Sequence, residues 1–262
     1  MTPIDLAIII LNYNTRDLLR RCLQTVYASR GDFSYAVCVV DNASPDGSAG
    51  MVRDEFPQAT LIASPVNGGY PYGNNLGLRH FGWTDRPGAG DPTTTPRYAL
   101  LLNPDTELPP SALAGMVAFM DDKPQCGVAG PKLVRLDGSL DLACRRSFPT
   151  PEVSLYRMAG LSKLFPTSPR FGRYNMTYLD PDLTTEVDSV VGAYMQVRGL
   201  AIHQAGLLDE TFFMYGETWT GPIASSGAAG RCGIIRQSRC CTSRRRLARP
   251  AARRATSSTG RC

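Results

Sequence analysis

Residues 6–11 read LAIIIL, six apolar side chains in succession, three of them isoleucine. A strand with one wet face alternates apolar and polar residues; an unbroken run belongs to a strand covered on both faces, the habit of parallel sheets. Just downstream, Asn14 or Thr15 can cap a helix over residues 16–28, which sets Leu18, Leu19, Cys22, Leu23 and Val26 on one face. YAVCVVD at 35–41 is a second buried strand, ending on Asp41. NASPDGS then caps a helix running through Glu55, and ATLIAS at 59–64 is a short third strand. Strands alternating with helices at this spacing predict βαβ units and a mainly parallel sheet.

Farther out, NGGYPYGNNLGLRHFG at 67–82 is a Gly/Asn-rich loop entering a helix, and WTDRPGAGDPTTTPR at 83–97 reads as a surface loop. YALLLNPDTE at 98–107 is a fourth buried strand with an acidic end, and Pro109-Pro110 open a helix over residues 111–120. CGVAGPKLV at 126–134 is a further strand. Residues 145–185 are rich in proline and aromatics without periodicity and read as irregular. EVDSVVGAYMQVR at 186–198 reads as one strand, followed by a short helix over 199–205 with His203 on its surface.

The overall charge of +5 conceals two regimes. Residues 218–262 carry ten of the 28 basic residues, all arginine, and no carboxylate; the preceding 217 residues hold 18 basic groups against 23 acidic ones. Four of the eight cysteines (Cys22, Cys38, Cys126, Cys144) are dispersed through the acidic part and read as small buried apolar residues, since none has the paired spacing of a zinc site. No apolar run is long enough to span a bilayer and the N-terminus lacks a basic-then-apolar leader, which leads to the expectation of a cytoplasmic protein, peripheral at most to the inner face of the membrane.

In an open parallel sheet, ligands gather beyond the carboxyl ends of the strands. Three such ends are polar: LNYNT after the first strand, VDNASPDGS after the second and LLNPDTE after the fourth. A lone aspartate at a strand end commonly caps a turn; three polar tips together predict one polar crevice. Asp105, held at a rigid strand end, suits a hard divalent cation that keeps places for waters and phosphate oxygens. Asp41, an acceptor when ionised, suits the donors of a base or ribose. The chain lacks a phosphate-binding P-loop, and NGGYPYGNN lacks the GxGxxG spacing of dinucleotide binders.

Taken in order, LAIIILNYNTRDLLRRCLQTV, VVDNASPDGS, NGGYPYGNNLGL, LLLNPDTEL, VVGAYMQVR and LLDETFFMYGE resemble family 2 glycosyltransferases of the GT-A fold, in particular the rhamnosyltransferase-like subgroup of bacterial cell-surface polysaccharide assembly. The resemblance implies an α/β, Rossmann-like, mainly parallel sheet flanked by helices over residues 1–217. It implies inverting transfer of a sugar, rhamnose in this subgroup, from a nucleotide-diphosphate donor to a hydroxyl of a saccharide or lipid-linked saccharide acceptor. It places Asn12 at the nucleotide edge, Asp41 on the base or ribose, and Asn67, Gly68, Asn74 and Asn75 along the donor. Asn103-Pro104-Asp105 then stands where the family has D-x-D, with Asp105 on a Mg or Mn ion and Asn103 at its first position. Gly192 and Ala193 line the acceptor side.

In the family, FFMYGE continues into an aspartate that serves as general base; here Glu217 is followed by Thr218, which lacks a basic group. A shifted frame explains the break. Glu217 as GAG followed by Thr218 as ACC contains GAC, an aspartate codon. With only synonymous third bases chosen the shift reads on as LDWAYRI, and with synonymous codons chosen as far as Thr242 it continues KRRGWKVWYYPAVTVLH. The reading is therefore a GT-A domain lacking its C-terminal elements, with Glu217 beside the missing base, and a disordered out-of-frame tail over 218–262. A sugar-phosphate nucleotidyltransferase remains as an alternative, although NYNTRD offers only Arg16 to a triphosphate. A non-catalytic protein whose arginines bind nucleic acid or a membrane is a third reading, but the tail lacks interleaved aromatics, so no nucleic-acid partner is expected.

Overall fold

The computed structural model describes residues 4–148 and 150–213 and, as backbone, residues 231–242. The elements in chain order are β1 (Leu6–Asn12), α1 (Arg16–Tyr27), β2 (Tyr35–Asp41), α2 (Ser48–Glu55), β3 (Thr60–Ala63), α3 (Gly69–His80), β4 (Tyr98–Leu102), β5 (Thr106–Glu107), α4 (Ala112–Asp122), β6 (Cys126–Arg135), α5 (Pro151–Met158), α6 (Leu161–Leu164), β7 (Thr185–Val187), β8 (Tyr194–Arg198), α7 (Gly199–Ala205) and β9 (Arg231–Thr242). The described strands form one sheet in the order β3-β2-β1-β4-β8-β6-β9-β5, with β7 against β9. β3, β2, β1 and β4 are mutually parallel. β8 runs antiparallel to both β4 and β6, and β9 joins β6 in parallel.

The apolar run at 6–11 is explained by two covering layers. Leu6, Ile8 and Ile10 enter a core with Leu19 and Leu23 of α1, Val52 of α2 and Met116 of α4. Ala7 and Ile9 point the other way, onto Leu78 of α3 and Ile202 of α7. Alternate side chains of a strand leave opposite faces, so both sets must be apolar. α3 comes unusually near the sheet: a Cβ on Gly73 would lie 2.2 Å from Leu11 Cδ1, and one on Gly77 2.6 Å from Ile9 Cγ2. Glycine at this four-residue spacing is what lets the helix backbone rest on β1.

Several expectations need correction. Residues 145–185, read as irregular, contain α5 and α6. The strand expected at 186–198 is split into β7 and β8, because residue 189 bridges Arg146 instead of continuing a ladder. His203 is buried, with its Nε2 3.0 Å from Thr95 Oγ1 and its Nδ1 3.3 Å from the Ala89 carbonyl; the loop at 83–97 folds back over α7, and Trp83 is buried beneath it. Of the stretch after residue 217, residues 231–242 are described and form β9. β9 lies on the edge of β6 opposite β8, with register shifts between Cys126 and Val128 and between Pro131 and Lys132.

Candidate active site

β1, β2 and β4 end side by side. Asn12 pairs with Asp41 in the register of β1 with β2, and Ile10 pairs with Leu102 in that of β1 with β4. The tips of β2 and β4 therefore flank Asn12 at two strand spacings, about 10 Å apart. Strand pairing thus lines these three tips along one edge of the sheet.

Asn12 is wholly buried and organises the edge. Its Nδ2 donates to Asp41 Oδ1 at 2.8 Å and to Ser44 Oγ at 3.1 Å, while its Oδ1 accepts from Thr15 Oγ1 at 2.6 Å. Asp41 Oδ2 accepts from the Ser44 N–H at 3.0 Å. Each carboxylate oxygen has a further lone pair, so Asp41 is oriented by the protein and still able to accept from a ligand. The turn after β2 takes a left-handed residue that is not glycine, Ala43 at φ 62°. Asp46 secures the other side of that turn, accepting from the Arg16 N–H at 2.9 Å and the Ser48 N–H at 3.0 Å. Burial works to raise the Asp46 carboxyl, but hydrogen bonds from Ser48 and Arg16 outweigh it and hold the group below the usual carboxylate range.

Asn42 ties the Gly-rich loop to β2. Its Nδ2 donates to Asn67 Oδ1 at 2.7 Å and to the Gly69 carbonyl at 3.3 Å, and its Oδ1 accepts from the Gly68 N–H at 3.3 Å. Asn67 and Gly68 thus lie directly beside the Asp41 tip. Asn74 and Asn75 do not join them: both are buried, Asn74 Nδ2 bonds the Tyr70 carbonyl, and Asn75 Nδ2 bonds the Leu208 carbonyl and Glu210, each at 2.8 Å. The Leu208 N–H returns a bond to Asn75 Oδ1 at 3.0 Å. The side chain of Asn75 clasps α3 to the segment at 206–210.

At the third tip, Asn103-Pro104-Asp105-Thr106 closes a turn, with the Thr106 N–H on the Asn103 carbonyl at 3.2 Å and proline second in the turn. Asn103 N–H and Thr106 Oγ1 both donate to the Ala193 carbonyl, at 3.0 and 3.2 Å. Gly192 follows: Tyr70 Oη reaches its carbonyl at 3.4 Å, and a Cβ there would meet that hydroxyl at 2.9 Å. The residues expected on the metal and acceptor sides are therefore neighbours. The buried Cys22 thiol, 3.7 Å from the Asn103 carbonyl, is pushed above its ordinary range by burial and then by the Asp105 and Glu107 carboxylates.

Among the described residues no three His, Cys, Asp or Glu side chains form a metal cage. An ion that retains waters and takes phosphate oxygens from its substrate needs one or two carboxylates, and the oxygen donors of the Asn103–Asp105 turn fit that requirement. Glu217 lies outside the described residues, as do 218–230 and 243–262. A cleft of about 530 Å³ elsewhere, lined by Arg79, Asp85 and residues 207–211, includes neither Asp41 nor Asp105.

Sequence reasoning missed Asn42, Ser44 and Tyr70. The first two stand inside the quoted VVDNASPDGS, yet nothing in spacing alone says that Asn42 reaches across to 67–69. Tyr70 gave no signal, since its contact is 122 residues away.

Comparison with known proteins follows the same lines. The family described as Glycosyl transferase family 2 matches residues 7–172. The low-salt glycan biosynthesis hexosyltransferase Agl10 of Haloferax volcanii is 25% identical over 213 residues, covering 81% of this chain and 59% of Agl10. Among solved structures, the mannosyltransferase PcManGT of Pyrobaculum calidifontis, in complex with GDP-Man and Mn2+, matches 94% of this chain and 59% of its own, with TM-score 0.59 and 18% identity. S. aureus TarS 1–349 with UDP-GlcNAc matches 92% and 59%, with TM-score 0.58 and 16% identity. The chain thus spans somewhat under two thirds of the length of these relatives, and the structural matches establish a shared fold.

Proposed function

The chain belongs to glycosyl transferase family 2, and from that membership we propose that its lineage transfers a hexose, with inversion, from a nucleotide-diphosphate donor to an acceptor hydroxyl. The carrying observation is the single edge formed by the Asn12, Asp41 and Asn103–Asp105 tips. Asp41, oriented by Asn12 and Ser44, accepts from the ribose or base. Asn67 and Gly68, fastened by Asn42, border the donor; Asn74 and Asn75 hold α3 in place behind them. Asp105 and the Asn103 turn hold a divalent cation with the donor diphosphate, and Gly192 and Ala193 lie on the acceptor side. Such an ion neutralises charge on the departing nucleotide diphosphate. Rhamnose as the sugar and a cell-surface polysaccharide or its lipid-linked precursor as acceptor are the specific forms we propose, on the residues of the subgroup.

We read the language change at Thr218 as the loss of one G from GAGGAC, leaving Glu217 without its neighbouring base aspartate. In the shifted frame, the positions of β9 read KVWYYPAVTVLH, an apolar strand suited to the place beside β6. The DNA decides this: every threonine codon begins AC, so GAG at Glu217 supports it, and GAA there, which would read AAC for asparagine in the shifted frame, rules it out. For this chain donor binding without appreciable turnover is expected. Calorimetry of the full chain with UDP-, GDP- and dTDP-sugars and Mn2+ tests the site. Asp41→Ala or Asp105→Asn should each weaken binding by at least about tenfold, the scale of one hydrogen bond to a charged group. Unchanged affinity in both variants, or no binding by any donor, overturns the reading.

A further inference from the structure

The lobe between β6 and β7 has a surface that the sheet edge does not explain. Only Val153 of α5 is buried. At about 100° of turn per residue, Leu155, Met158 and Ala159 fall on the side of the helix opposite Val153. Leu155 is 61% exposed and Met158 85%; beside them on α6 and just after it, Leu164 is 69% exposed and Phe165 47%. A helix serving only the core would carry polar residues on that side.

The surroundings are cationic. From residue 142 to 179 the chain has six basic residues and one carboxylate, Glu152, although the first 217 residues are acidic overall. Arg157 lies over the Tyr174 ring at 4.2 Å, Arg170 hydrogen-bonds the Tyr156 hydroxyl and pairs with Glu152 at 3.5 Å, and Lys163 and Arg173 are exposed. The pattern is exposed apolar side chains in a segment whose charges are mostly cationic, with Arg157 on α5, Lys163 on α6, and Arg170 and Arg173 following.

We propose that this face of α5 and α6 is an interfacial contact with an anionic lipid bilayer. Leu155, Met158, Leu164 and Phe165 enter the headgroup boundary, while Arg157, Lys163, Arg170 and Arg173 stay at the level of the phosphates. Charge selects this occupant. A second copy docking by the same face would bring two cationic segments together, and the chain's own 218–262 segment is itself all arginine among its charges. No helix among the described residues is long and apolar enough to cross a membrane, so the contact lies in the plane of the surface. The surface stands whether or not the sheet edge transfers a sugar, so vesicle binding and donor binding fail independently.

The test uses the full chain with phosphatidylglycerol–phosphatidylcholine vesicles against phosphatidylcholine alone. Flotation should recover the protein with the anionic vesicles, and Lys163→Glu should weaken binding by at least about fivefold, the scale of one cation near such a surface. Met158→Trp places a reporter on α5. Relative to the parent chain, its emission should shift to the blue with anionic vesicles and be quenched by lipids brominated in the acyl chain. Flotation without that shift means that the arginine-rich segment alone makes the contact and overturns the proposal. Vesicle-independent self-association abolished by Leu155→Ser assigns the face to a second copy and overturns it equally.

Discussion

Asn12 has no charge and is wholly buried, yet the edge formed by the β1 and β2 tips depends on it. Replacing it with alanine removes the donor from the buried Asp41 Oδ1 and the acceptor from Thr15 Oγ1. A buried polar group left without a partner costs about 1–3 kcal/mol, so Asn12→Ala should destabilise the chain by that order in urea unfolding. An unmoved midpoint would show that water or a rotated Ser44 takes over. Asp46 provides a pH signature at the same scale. Its folded carboxyl sits below the usual range, so its contribution is complete above the unfolded value near ~3.9 and disappears as pH falls through the folded one. Asp46→Asn should therefore lower the thermal midpoint at neutral pH, and the gap to the parent should close in strong acid. A gap constant across pH would assign the effect to lost shape instead of charge.

Elements were legible where both of their faces meet a core. β1, β2 and β4 could be read because layers on two sides demand unbroken apolar runs, and α1 because Leu19, Cys22, Leu23 and Val26 share one buried stripe. α5 could not be read for the opposite physical reason: its apolar residues point away from the protein, so they show no period against a core. His203 was misplaced because a polar residue on a short helix resembles surface until the loop carrying Thr95 and Ala89 covers it. The role of α3 was half legible. NGGYPYGNNLGL announced a glycine-dependent feature, but Gly73 and Gly77 serve contact with β1, and Asn75 serves contact with the 206–210 segment. Gly77→Ala separates propensity from packing. Alanine gains up to about 1 kcal/mol of helix propensity, whereas its methyl would stand 2.6 Å from a branch of Ile9 in the sheet centre. Overpacking costs about 1–3 kcal/mol, so net destabilisation is expected by chemical denaturation. A stabilised variant would mean that α3 slides freely off β1.

At the scale of the molecule, the proposed function divides donor handling and proton removal between different stretches of chain. The parallel strands β3, β2, β1 and β4 and the tips bearing Asp41 and Asp105 lie within the described residues, almost wholly inside the 7–172 family match. The proposed place of the base is 217–218, where an acidic chain turns into an arginine-rich one. That division predicts a separable phenotype. Inserting a G between the Glu217 and Thr218 codons should leave donor affinity within about threefold, because each oriented group at the edge is unchanged, while nucleotide release from a bound donor with water as acceptor should rise by about 100-fold or more, the usual contribution of a positioned base. Calorimetry on the same restored protein guards against misfolding: intact donor binding with no rise in release would remove the frame account and leave Thr218 as native to this chain. Loss of donor binding on restoration would mean that β9 as it stands, paired with β6 and β5, supports the metal-side turn in a way the apolar strand does not. Only the combination of unchanged binding and faster release fits a transferase whose sheet survived the loss of its base.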